Sequence, residues 1–398
     1  MVHIRKLAFE EVDDMSALAA YAFNSEISGE RKKRFDYIIQ HSQAYGAFDG
    51  EQLTSQLLST PFQVDFHGAR YKMAGIGCVS SYPEYRGQGS ITALMQQLLS
   101  DLAKEKTALS YLAPFSYPFY RRYGFEQLFE QIAYRIDSND WPKLPKPKSQ
   151  GRVYRTNLKA AKQVIKRLYA EQPTKGPGGL IREDWWLEYK FGYGNEYLFA
   201  VAENQQGDPR GYLVYQSSVE RLTIKEWVAL DKEAYTDLAG FIGSHSGATK
   251  EFYFVKGFTG ESLSYLMPAP KAEMKLLPYM MGRIVEIETF VGSYPFLSNG
   301  KEGVFHLGIN DTYAPWNEGV WKLTIQGGKG RMERLGDIAD SQLHDVMQAD
   351  IQTWTQLFMG YRRAPELLFY GPLSGSSEQA AELDQLIPMG KPQLEDYF

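Results

Sequence analysis

The sequence has 398 residues, 43% hydrophobic and 23% charged, with a net charge of −5 at pH 7. That length supports two or three domains, each with its own core, while the composition excludes a disordered chain and the acidic balance argues against a nucleic-acid partner. No apolar run nears the roughly 20 residues that cross a bilayer, the opening MVHIRKLAFEE is no secretory signal, and a single cysteine, Cys78, leaves no disulfide or cysteine-cage metal site. A cytoplasmic protein without membrane partners is the expectation.

His3 to Leu7 reads as a strand. Val12, Met15, Leu18, Ala19, Ala22 and Phe23 follow at helical spacing. Gln43 to Ser81 alternates polar and apolar residues around turns at Asp49-Gly50 and His67-Gly68, which predicts an antiparallel meander of three strands. After the turn YPEYRGQGS, residues Ile91, Leu94, Met95, Leu98, Leu99 and Leu102 mark an amphipathic helix. YLAPF reads as a strand, and PFYRRYGFE as a short helix ending in glycine. The Pro- and Lys-rich stretch from Asp137 to Gly151 is the best linker, and a weaker boundary falls near Gly282 to Glu286.

The middle segment repeats the outline of the first: a helix with Val164, Ile165 and Leu168, then EYLFAVAEN, GYLVYQSS and RLTIKEWVALD as antiparallel strands, then a helix through FIGSH. It has DKEAY where the first has a glycine loop. An internal duplication that lost one loop accounts for this, with chance similarity as the alternative. From about Ile284, GVFHLGIND, GVWKLTIQ and RMERL predict an antiparallel sheet, with helices at DIQTWTQLFMGY and SSEQAAELDQLI and an end at LEDYF without a loose tail.

YRGQGSI carries the chemistry. Arg86, Gly87, Gln88, Gly89, Ser90 and Ile91 lie where a strand gives way to a helix. A helix start offers unpaired backbone N–H groups and the positive end of the macrodipole. Gly87 and Gly89 keep side chains out of the way, so a phosphate can reach those amides, and Arg86 adds a cation. A turn that merely joins two elements is the other reading.

The order β-α-β-β-β, a loop like R-x-x-G-x-[GA], a helix, a strand, and a tyrosine four residues before Gly-Phe resembles the GCN5-related N-acetyltransferase (GNAT) family. A second GNAT-like domain without the loop, and a C-terminal module similar to sterol carrier protein, resemble the layout of the Eis (enhanced intracellular survival) acetyltransferases. PEYRGQGSITAL, PFYRRYGFE, DIQTWTQLFMGYRRAPELL and the terminal DYF carry the likeness, which covers essentially the whole chain. It implies a mixed α/β fold, with GNAT domains over 1–145 and 146–284 and a sterol-carrier-like α+β domain over 285–398. It further implies acetyl-CoA as co-substrate, no metal, small-molecule or peptide amines as acceptors, and a homo-oligomer, hexameric in the resembled family. Val79, Ser80 and Ser81 would run along the pantetheine arm. Arg86 to Thr92 would hold the pyrophosphate, and Ser116 would join the cofactor contacts. Ile91 stands where the family usually has Gly or Ala, which weakens the motif there.

The resemblance makes Tyr120 the general acid, with Tyr123 as its nearest rival. A phenol near pKa 10 is protonated at neutral pH, but proton transfer to a thiolate near 8.5 is uphill unless the surroundings adjust one of them. The implied base is the C-terminal carboxylate of Phe398, which could equally serve to orient the amine. At a pKa near 3.5 it is a poor match for an ammonium near 10 without desolvation or a water relay. The aromatic pair Tyr397-Phe398 speaks against the default of a solvated terminus. Glu395 and Asp396 either attract a polycationic amine or form a solvated turn.

Cys78 reads as a buried, inert thiol. The six histidines show no metal-ligand spacing. The glycines at 327–330 read as a hairpin turn. Trp185-Trp186 either line a surface or pack a core. Acceptors implied by the resemblance are aminoglycoside-like polyamines or lysine ε-amines. Competing readings are a lipid carrier on a GNAT scaffold, which would not need the Arg86–Gly89 loop, and an aminoacyl transferase using charged tRNA, which the acidic net charge disfavours.

Overall fold

The computed structural model describes residues 3–141, 151–194, 196–262, 271–337 and 345–398. The core of the expected linker, residues 142–150, lies outside the described residues, as does His344. The chain forms two compact units: 1–129 with 176–180 and 279–398, and 130–175 with 181–278.

The first unit begins with β1 (His3–Leu7), α1 (Val12–Ala22), α2 (Gly29–Gln40), β2 (Gln43–Asp49), β3 (Gln52–Phe66), β4 (Ala69–Ser81), α3 (Ser90–Lys104), β5 (Leu109–Leu112), α4 (Tyr117–Arg121) and β6 (Glu126–Gln127). The expected meander is present as β2–β3–β4, antiparallel throughout. Helix α3 lays Leu94, Met95, Leu98, Leu99 and Leu102 against Tyr45, Leu57, Ala74 and Ile76 of the sheet. Its 3- and 4-residue spacing puts all five on one face.

The second unit contains β7 (Glu130–Asp137), β8 (Arg152–Thr156), α5 (Leu158–Glu171), α6 (Asp184–Gly192), β9 (Leu198–Glu203), β10 (Pro209–Ser217), β11 (Arg221–Ala229), α7 (Lys232–Gly243), β12 (Glu251–Gly257) and β13 (Glu273–Pro278). Its sheet has the order β13-β7-β12-β11-β10-β9-β8. Trp186 is buried in this unit, so core packing accounts for it.

The chain then returns to the first unit with β14 (Met281–Ile284), α8 (Ile287–Gly292), β15 (Gly303–Asn310), β16 (Gly319–Gln326), β17 (Lys329–Gly336), β18 (Val346–Asp350), α9 (Ile351–Phe358), α10 (Ala364–Tyr370) and α11 (Ser377–Asp384). Two strands sit in sheets that chain order does not suggest. β14, where the sequence marks a boundary, inserts between β5 and β6 to give the order β1-β2-β3-β4-β5-β14-β6, and β7 belongs to the second sheet. The C-terminal sheet has the three expected antiparallel strands and a fourth that the sequence pattern did not mark. β15, β16 and β17 are antiparallel, with the glycine turn between β16 and β17, but β18 runs parallel to β15. VMQAD has two inward residues, Met347 and Ala349, too few for an alternation to stand out.

Candidate active site

Strands β4 and β5 pair in parallel only from Met73↔Leu109 to Ile76↔Leu112. β4 runs on to Ser81 with β3 as its partner on the other side, so its β5-facing edge is free from Gly77 onward. The β3 register slips opposite this point, between Gln56 and Leu58, and Cys78 takes the left-handed conformation with φ 51°. The two strands splay there and expose backbone donors and acceptors along Val79–Ser81.

At the end of that edge a 3-10 turn over Pro83–Tyr85 leads into α3. Gly87 and Gly89 have φ of 78° and 85°, which side-chain-bearing residues rarely adopt, and a Cβ on either would meet nothing within 4 Å. Gly89 is the N-cap, and no side chain caps the helix. The first-turn amides of α3 therefore remain available for an anion. Gln88 turns away: its Nε2 donates to the Glu84 carbonyl at 3.0 Å. In the second unit the corresponding helix, α7, is closed to anions, because Asp231 accepts from the Ala234 amide at 2.9 Å and Glu233 occupies the first turn.

A cleft of about 620 Å³ opens over these elements. Of the residues singled out from sequence, Val79, Ser80, Ser81, Arg86, Gly87, Gly89, Ser90, Ile91 and Thr92 line it. Ala22, Phe23, Tyr85, Phe115, Phe119, Arg122 and Tyr123 complete the wall, and no sequence motif marks any of them as a cofactor contact. Arg86 and Arg122 form no ion pair among the described residues; the Arg122 guanidinium lies over the rings of Phe119 and Tyr123 at 4.8 and 5.5 Å. Tyr123 shares a hydrogen bond of 2.9 Å with Thr92 on the first turn of α3. An RRY run shows the charges but not which side chain a short helix turns toward the cleft.

Ser116 serves as N-cap of α4, accepting from the Phe119 amide at 3.4 Å, and stands outside the cleft wall. Tyr120 is buried, its ring edge-on to Phe115 and Phe119 at 5.4 and 5.0 Å. Its hydroxyl has no hydrogen-bond partner among the described residues. Burial first, then Tyr123 and Tyr397, raises its pKa above the usual phenol value. The thiol of Cys78 is likewise raised by burial, to about 12.

The C-terminal segment is held along its length. Gln393 donates its amide to the Pro177 carbonyl at 2.8 Å, Leu394 and Asp396 are buried, and the Tyr279 hydroxyl donates to the Asp396 carbonyl at 2.9 Å. The burial of Asp396 rules out the solvated turn for that residue. Tyr397 is exposed, whereas the Phe398 ring packs on Phe62 with centroids 5.1 Å apart. That ring fills the space a Cβ on Gly75 would take, and the terminal carboxyl carbon lies 3.6 Å from where a Cβ on Gly77 would stand. The carboxylate thus rests on β4 at the start of its free edge.

Residues 3–128 and 178–284 match the family described as acetyltransferase (GNAT) domain, and residues 287–395 match the sterol carrier protein domain. A conserved Enterococcus faecalis V583 protein, described as a probable N-acyltransferase, is 48% identical over all of both chains, with a TM-score of 0.95. This chain is a GNAT-family acetyltransferase. Its layout is that of the Eis-like proteins: two GNAT folds and a sterol-carrier-like domain. The acetyltransferase shares its fold with Eis1 of Mycobacterium abscessus, at 18% identity over all of both chains and a TM-score of 0.78. It is also 21% identical to an uncharacterized N-acetyltransferase of Streptomyces avermitilis over 79% of this chain and 80% of that one. GNAT acetyltransferases use acetyl-CoA as co-substrate, and the bare amides, the open glycines and the two arginines without an ion pair among the described residues fit its diphosphate.

Proposed function

We propose that this acetyltransferase moves the acetyl group of acetyl-CoA directly to a primary amine, an aminoglycoside-like polyamine or a lysine ε-amine, within one ternary complex. The observation that carries the reading is the uncapped start of α3, opening with the free edge of β4 onto one cleft. The amides of 89–92 and the cations Arg86 and Arg122 hold the diphosphate. The β4 edge at Val79–Ser81 aligns the pantetheine arm, which leaves the thioester near Gly77.

The Phe398 carboxylate, at Gly77, orients the acceptor and takes its proton. A carboxylate is a weak base toward a free ammonium, but the N–H acidity rises sharply once nitrogen has bonded to the thioester carbon. The amine lone pair forms the C–N bond, the C–S bond breaks, the amine proton passes to the carboxylate, and Tyr120 donates to the departing sulfur. Its raised pKa puts full transfer to a thiolate further uphill, so Tyr120 acts on the departing sulfur chiefly as a hydrogen-bond donor, and its proton passes over only where the closed site raises the thiolate too. Solvent restores both groups. We extend the reading to a hexameric, cytoplasmic enzyme, which mass photometry and fractionation would test.

The experiment is a panel of amines followed by released thiol, run with the parent protein and with one residue added after Phe398. The reading expects turnover with polyamine or lysine acceptors and loss of about 100-fold or more in the extended protein. Full turnover by the extended protein would remove the terminal carboxylate from the mechanism.

A further inference from the structure

The turn that carries Tyr120 is gripped from behind. Helix α4 and the residues after it end in carbonyls with acceptor capacity to spare; that of Arg121 takes the Gly124 amide at 3.0 Å and has a second lone pair open. Three side chains from much later in the chain take these carbonyls. Arg283 Nη1 donates to the Tyr123 carbonyl, Gln352 Nε2 to that of Arg121 at 2.9 Å, and Gln356 Nε2 to that of Gln127 at 2.8 Å. Arg283 stands on the inserted strand β14; the glutamines lie one turn apart on α9. Gly124, at φ 81°, lets the guanidinium approach so closely that a Cβ there would stand 2.5 Å from Nη1. The ring of Tyr313 meets that of Tyr123 edge-on at 5.0 Å.

Arg283 is itself fully buried. Its Nη2 donates to Asp311 at 2.6 Å, its Nε to the Ile284 carbonyl at 3.1 Å, and Asp311 also accepts from Asn317 Nδ2 at 2.8 Å. Burial pushes the Asp311 carboxyl up, and Arg283 offsets part of that shift. A buried ion pair adds little stability over apolar residues of equal volume, because both charges lose their water. What a guanidinium adds is direction: a planar fork that fixes several acceptors at once. Here one acceptor is the backbone three residues after Tyr120.

We propose that Arg283 is a positioning residue for acetyl transfer. Through the Tyr123 carbonyl, and together with Gln352 of the sterol-carrier-like domain, it sets the orientation of the Tyr120 turn; that domain also supplies Asp311, which holds the guanidinium. The proposal rests on Tyr120 as the acid.

The test is a double-mutant cycle of R283A and Q352A with Y120F, reading kcat and acetyl-CoA KM separately. R283A should lower kcat about 30-fold and Q352A about threefold, with KM changed less than about threefold. Both losses should largely vanish in the Y120F background. R283K, or guanidinium added to R283A, should restore part of kcat. Wild-type kcat in folded R283A and Q352A overturns the proposal, as do losses that repeat in full on top of an impaired Y120F, or that appear equally in acetyl-CoA binding. Should R283A not fold, Q352A decides by the same criteria, since it removes one hydrogen bond at a half-buried position. Full activity of Y120F alone would refute the acid assignment, an outcome distinct from additive losses.

Discussion

Replacing Gly75 with alanine should unseat Phe398 and slow turnover without touching the cofactor cradle. The new Cβ would stand 2.6 and 2.8 Å from two carbons of the Phe398 ring and 2.8 Å from Phe62 Cε2. To regain an ordinary contact near 3.4 Å the Phe398 ring must retreat by about 0.8 Å, and the adjoining Phe62 ring is pressed by the same methyl. The terminal carboxylate moves with its ring. Misplacement of a reacting group by about 1 Å costs up to about 100-fold, or ~2.7 kcal/mol of barrier. Overpacking of this kind lowers stability by about 1–3 kcal/mol. The assay is thiol release at saturating acetyl-CoA for the parent, G75A and a protein lacking Phe398, with thermal melting alongside. G75A should lose about 10- to 100-fold in kcat, approach the truncated protein, and keep its acetyl-CoA KM. A folded G75A with parental kcat would show that the seat of the terminus has no bearing on chemistry.

R86A and R122A should each raise the acetyl-CoA KM about 10-fold at low salt with little change in kcat, and the difference should shrink at high salt; an unchanged KM in both would place the diphosphate elsewhere. Because Tyr120 is raised above its ordinary value of 10.0, it stays protonated below that pH and loses its proton only above it. The pH profile of kcat/KM should therefore rise as the acceptor ammonium deprotonates, with no descending limb below pH about 10. A descending limb between about pH 8 and 9.5 that Y120F abolishes would contradict this. With its thiol near 12, Cys78 should react with thiol reagents at pH 8 orders of magnitude more slowly in the native than in the unfolded protein, and equal rates would disprove that shift.

Where each element was legible follows from how much signal it carries in one stretch. Helix α3 declares itself through six apolar residues on one face and a glycine start, so the cradle could be located from sequence. α2 escaped because half of GERKKRFDYIIQ is charged and it buries only Ile38 and Ile39. β14 escaped because four residues give no periodicity, and its place in the first sheet is a long-range pairing with Leu109–Leu112 that no local pattern encodes. The contribution of Arg122 and Tyr123 to the cleft depends on the aim of α4, which Arg283 and Gln352 set from 160 and 231 residues away and Gly124 by a positive φ. Ser116, a cofactor contact by resemblance, has its hydroxyl accepting from the Phe119 amide at a helix start.

The account depends on bare backbone at the head of α3 receiving the diphosphate of acetyl-CoA, and a crystal structure with CoA bound tests that most directly. It should show diphosphate oxygens about 2.7–3.2 Å from the amide nitrogens following Gly87 and Gly89, the pantetheine arm along Val79–Ser81, and its sulfur approaching Tyr120 and the Phe398 carboxylate. A diphosphate bound elsewhere, with those amides still facing solvent, would contradict it.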